Sequence, residues 1–133
     1  MSTRETFFAP QLLIPSGISD ISFYLKAFGA VLIRQFLNDD GSIHVAELSV
    51  NSNIFHLHEE RPEKDQLSPA TAKGITCIIG LFVEDVNATV DKALQAGATL
   101  LNPVQDYDYG YRQALVRDVF GHHWLIESTI AGA

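Results

Sequence analysis

The sequence predicts an α+β fold of two βαβββ modules whose curved mixed sheets surround a concave pocket. Three observations lead there. Shifting the chain by 68 positions lays Lys26-Ala27-Phe28-Gly29-Ala30 over the segment ending Gln95-Ala96-Gly97-Ala98, and Leu13, Ile18 and Leu57 over Leu81, Val86 and Leu125. Such self-similarity means one supersecondary unit used twice. Each half also shows the same order of signals, an apolar run, a helical period and three further strand-like runs. Finally, 133 residues, 47% of them hydrophobic, make one core and leave no room for a second domain.

In chain order, the first module (about 8–58) has a strand at Pro10 to Ile14, a helix from about Ser19 to Phe28, and strands near Val31 to Leu37, Ile43 to Val50 and Ile54 to His58. Residues 59–74 carry charge, Pro62 and Pro69, and are expected to be an exposed connector. The second module (about 75–128) opens with the β-branched run Ile75 to Val83. Asp85 then caps a helix with Val86, Val90, Ala93 and Leu94 at helical spacing, which Gly97 closes. Strands near Thr99 to Pro103, Tyr111 to Arg117 and His123 to Ser128 complete it. The first and last strands of each module are expected to pair, the helix covering one face and the other lining a pocket.

Nine Lys and Arg against sixteen Asp and Glu give a net charge of −7 with no basic cluster, which argues against nucleic acid. The acidic balance serves solubility or draws cationic ligands. No apolar run reaches the roughly 20 residues of a membrane span, and no signal-peptide pattern is legible, so no membrane is expected as partner and a cytoplasmic location is expected. The single Cys77 has no partner for an internal disulfide and is expected to be a small buried hydrophobe.

The segment Asp118-Val119-Phe120-Gly121-His122-His123-Trp124, preceded by Tyr109-Gly110-Tyr111-Arg112, resembles the closing signature of PhnB-like members of the vicinal-oxygen-chelate (glyoxalase/bleomycin-resistance/dioxygenase) superfamily. Residues 21–30 resemble that family's first helix, and His44 to Leu48 its third strand. Val119 stands where Pro is usual, and Tyr109 and Tyr111 where Trp and Asp are common. The resemblance implies the glyoxalase/bleomycin-resistance fold. In the family's enzymes, one divalent metal is held by His or Glu from the first and last strands of each module and polarises substrate oxygens. Those positions fall on Ala9, Leu57, Ile78 and Leu125, none of them a ligand. In a frame shifted by one, His56, His58 and Cys77 enter, still too few for a tight site. The standard metal is therefore expected to be lost, and no cofactor is predicted.

Alternation along strands then names the side chains of the concave face. Gln11 accompanies Ala9, Phe55 accompanies Leu57, Phe82 accompanies Ile78, and His123 and Glu127 flank Leu125. Ala46, Leu48, Ala114 and Val116 are expected against the helices, turning Glu47, Gln113 and Arg117 toward the pocket. Glu47 is either a general base or the ion-pair partner of Arg117. His123 either orients a ligand or bonds to backbone. Tyr107, Tyr109 and Tyr111 alternate and could stack on a planar ligand, or cover a sheet edge or dimer contact. Trp124 is expected in the core, and His56 and His58 at the surface or an interface.

Three functions follow. The first is a metal-independent binder of a small molecule, cationic or aromatic, acting as a homodimer that closes the half-open sheets. The second is a lyase, isomerase or dioxygenase with an atypical metal site or Glu47 as base. The third is a structural or partner-binding role without a ligand. No phosphate loop, nucleophile elbow, Cys-x-x-Cys pair or methyltransferase fingerprint is legible.

Overall fold

The computed structural model describes residues 5–130. Two four-stranded mixed sheets carry the two modules. In the first, β1 (Gln11–Ile14), α1 (Ser22–Phe28), β2 (Val31–Leu37), β3 (Ile43–Val50) and β4 (Asn53–Glu59) give the strand order β1-β4-β3-β2. After a 3-10 turn (Pro62–Lys64) and the short helix α2 (Pro69–Ala72), the second module follows with β5 (Ile78–Phe82), α3 (Val86–Gln95), β6 (Thr99–Asp106), β7 (Tyr111–Arg117) and β8 (His123–Thr129). Its order is β5-β8-β7-β6. First and last strands pair in parallel in both sheets and the remaining neighbours are antiparallel, as the repeat predicts.

The helices form where the sequence places their stops and caps. The Asp85 side chain accepts from Ala88 N at 3.0 Å, and Val86, Val90 and Ala93 fall on one buried stripe. α1 ends at Gly29, whose φ of +68° lets its N–H reach Leu25 O and that of Ala30 reach Tyr24 O, both at 3.1 Å. β5 begins three residues later than expected. The connector is also more than a loop, because Ser68 and Pro69 are buried. A Cβ on Gly121 would lie 2.8 Å from Pro69 Cβ, so the glycine lets α2 sit against the β7–β8 turn.

A single core joins the two modules. The buried face of sheet one supplies Leu12, Ala46, Leu48, Phe55 and Leu57, that of sheet two Ala114, Val116, Trp124 and Ile126, and the helices add Tyr24, Ala27, Val90 and Ala93. α1 packs on α3. Trp124 meets Phe28, Phe55 and Tyr24 with ring centroids 4.7, 5.8 and 6.0 Å apart, a cross-module aromatic cluster. Among the described residues, no helix is long and apolar enough to cross a membrane.

β4 is assigned the opposite face to the one the sequence reading gave it. Leu57 is fully buried and Phe55 is 5% exposed, so both lie on the core face of the sheet rather than its open face. Their apolar alternation with His56 and His58 is the signal, since the residues that belong in a core are 55 and 57. Urea unfolding checks this: Leu57→Ala is expected to cost about 2–5 kcal/mol, whereas His58→Ala, on the other face, costs less than about 1 kcal/mol.

Candidate functional site

With the helix-packed sides of both sheets spent on the common core, the opposite sides are left open. In sheet two the cross-strand pairs Phe82 with Glu127, Gln113 with Glu127, and Arg117 with His123 put all these residues on the open face, with Ile78, Gly80, Leu115 and Leu125 between them. Phe82, Tyr111, Gln113, Arg117, His123 and Glu127 therefore share one side, as alternation predicts.

Their centre is Glu127, a carboxylate only 6% exposed. Gln113 Nε2 donates to its Oε1 at 2.7 Å, and the Tyr109 hydroxyl donates to Gln113 Oε1, so the amide is oriented from both ends. Glu127 Oε2 occupies the space that a Cβ on Gly80 would take, 2.8 Å away. Around this chain stand aromatics. Phe82 meets Tyr111 edge-on at 5.7 Å, and Tyr107 and Tyr109 stack at 5.2 Å with Tyr109 against Tyr111 at 5.8 Å, so the tyrosine row exists. Phe82 and Tyr109 are 58% and 61% exposed, leaving apolar surface uncovered beside the carboxylate. A hollow of about 150 Å³ lies between Tyr107, Tyr109, Gln113 and Leu125.

On sheet one the open face holds Gln11, Glu47 and His56, paired across β1, β4 and β3. Glu47 bonds His56 Nε2 at 2.9 Å and faces Arg34 at 3.6 Å. The expected partner Arg117 belongs to the other sheet, so the Glu47–Arg117 pair is corrected. A bulge between Leu32 and Arg34 shifts the alternation of β2 and brings Arg34 opposite Glu47, which the run of residues alone does not reveal. His56 Nδ1 is buried with no hydrogen-bond partner among the described residues. The His44 and His58 rings meet edge to face with centroids 5.0 Å apart, and His44 Nδ1 lies 2.5 Å from Glu59 Oε2.

Two further expectations change. Cys77 is exposed rather than buried, because β5 starts after it. The backbone bond expected of His123 is made by its neighbour His122, whose Nε2 contacts Leu13 O at 2.7 Å across the modules.

The donors that the metal of the resemblance would need are not grouped here, among the described residues. On the open faces the first and last strands pair Gln11 with His56 and Leu13 with His58 in sheet one, and Ile78 with His123 and Gly80 with Leu125 in sheet two, so the imidazoles are divided between two sheets. Ala9 precedes β1 and Leu57 is core. Among the described residues, no three His, Cys, Asp or Glu side chains are grouped to hold a metal. This donor set does not fit a chelated divalent ion.

Comparison with known proteins gives the chain its relatives. The family model described as Glyoxalase/Bleomycin resistance protein/Dioxygenase superfamily matches residues 20–126. An uncharacterized protein of Mycobacterium bovis, Mb0911c, is 35% identical over 129 residues, covering 95% of this chain and 85% of that protein. Among solved structures, the product of Arabidopsis thaliana At5g48480 superposes with a TM-score of 0.70 at 25% identity over 92% of this chain and 98% of that one. A glyoxalase/bleomycin resistance protein/dioxygenase family enzyme from Burkholderia phytofirmans superposes at 0.68 with 20% identity, over 90% and 95%.

Burial, and secondly the neighbouring Arg117 charge, hold the His123 imidazolium below its ordinary pKa, with Asp118 opposing. With the folded pKa depressed, protonation favours the unfolded chain, so the His123 contribution to stability is lost as pH falls below about 6.5. NMR titration is expected to give His123 a midpoint below 6.5; one at or above it contradicts the burial described. Gly80→Ala is expected to displace the Glu127 carboxylate and cost about 1–3 kcal/mol in urea unfolding.

Proposed function

Because the chain belongs to the Glyoxalase/Bleomycin resistance protein/Dioxygenase superfamily and, among the described residues, groups no three donors for that family's metal, we propose that it binds a small cationic aromatic molecule. The observation that carries this is the Glu127 carboxylate, oriented by Gln113 and Tyr109 and rimmed by Phe82, Tyr109 and Tyr111. A carboxylate largely out of water beside uncovered aromatic faces offers a cation both an ion pair and π contacts, while the planar part of a ligand stacks on the rings. The finer PhnB-like placement is supported by the Asp118–Trp124 segment.

One chain gives this ligand a single wall, since the hollow of about 150 Å³ is below the roughly 300 Å³ at which small-molecule pockets begin. A homodimer is the arrangement we favour. Gln11, Glu47 and His56 of a second copy's open face would supply further polar groups, and the exposed Ile78 and Phe82 would be covered. Light scattering coupled to size exclusion is expected to give twice the chain mass at micromolar concentration; a monomer removes the second wall.

The Glu47–His56 bond supports a second reading, an isomerase or lyase that uses this pair for proton transfer without a metal. Isothermal titration against a panel of planar ammonium compounds separates the two. The binder predicts saturable association without turnover that weakens at least tenfold in Glu127→Gln and less in His56→Gln, which removes only a group of the second wall. Association that follows His56 instead, with turnover of the compound, supports the enzyme.

A further inference from the structure

At the far end of the same sheet, four residues or roughly 13 Å along β7 from Gln113, the chemistry reverses. A groove of about 640 Å³ runs between α2 and the β7–β8 turn. On its floor, Thr99, Arg117 and His123 lie in one row across β6, β7 and β8, because Thr99 pairs with Arg117 and Arg117 with His123. Lys73 stands on the opposite wall, in the left-handed position that ends α2, at φ +59°.

Among the described residues, neither Lys73 nor Arg117 forms an ion pair. The acid in the lining is Asp118, 4% exposed, with both oxygens taken by Tyr24, Trp124 and the backbone N–H groups of Phe120 and His122. The walls are held in place. Glu60 accepts from Ser68 N at 2.9 Å and from the Thr71 hydroxyl at 3.0 Å, and Pro69 seats on Gly121. In a chain of net charge −7, two unpaired cations, an imidazole and a hydroxyl thus converge on one groove with apolar sides at Pro15, Ile75 and Phe120. Donors without acceptors in a groove of small-molecule size suit an oxyanion on an organic body.

We propose that this groove is an anion subsite for a small molecule carrying a carboxylate or phosphate, with Arg117 and Lys73 as its charges and Thr99 and His123 as hydrogen-bonding groups. It stands independently of the Glu127 cluster, which takes the opposite charge. The test follows the His123 ring resonances of the full chain at constant ionic strength during titration with inorganic phosphate, acetate and chloride. Saturable shifts with phosphate or acetate beyond those with chloride are expected, at least tenfold weaker in Arg117→Gln and severalfold weaker in Lys73→Gln. Tighter phosphate binding assigns a phosphate ligand, and equal or tighter acetate binding a carboxylate. Shifts that match chloride, or that persist unchanged in both variants, overturn the proposal. Both variants replace side chains at the surface, and their circular dichroism and melting temperature confirm that any loss is one of binding.

Discussion

Four donors converge on the carboxylate of Asp118. Tyr24 Oη and Trp124 Nε1 reach one oxygen at 2.6 and 2.9 Å, and the backbone N–H groups of Phe120 and His122 reach the other at 2.8 and 3.0 Å. One of these donors comes from α1, 94 residues away, in the other module. Burial first, and then the adjacent acid, push the Tyr24 phenol well above its ordinary pKa, so it stays a donor across physiological pH. A buried acid with every lone pair engaged is stable only while all its partners remain in place. The bond therefore fixes the β7–β8 turn, the indole of Trp124 and the first helix relative to one another.

From that point the rest of the molecule follows. Trp124 is set among Tyr24, Phe28 and Phe55, which commits the inner faces of both sheets to one core and turns Glu47, His56, Gln113 and Glu127 outward. The same turn places Gly121 under Pro69, which locates α2 and hence Lys73 opposite Arg117. His122 adds a second tie between modules through Leu13 O. The segment that carries the family resemblance thus acts in this chain as a structural clasp. The open-face side chains are its neighbours two residues apart along the strands.

Much of this was legible because period and punctuation are local. The repeat, the Asp85 cap, Gly29 as helix stop and the alternation in β7 and β8 each depend on a few adjacent residues, and the fold and the Gln113–Glu127 face follow from them. Two features depend on what lies across space instead, the β2 bulge and the groove at Lys73. The bulge in β2 that brings Arg34 to Glu47 is a property of strand pairing, not of the run Val31 to Leu37. The face of β4 is local by contrast: the Phe55-His56-Leu57-His58 alternation puts Phe55 and Leu57 in the core, against the position the resemblance gives Leu57. The groove at Lys73 was hidden because the residues of the connector gain meaning only from Gly121, which permits their close approach.

The clasp is tested most directly by a double-mutant cycle in urea, with Tyr24→Phe, Asp118→Asn and the two combined. If Asp118 ties α1 to the second module, the single costs do not add and the coupling is about 1–3 kcal/mol. Additivity within about 0.5 kcal/mol would show that the two residues act separately and that the module packing has another origin.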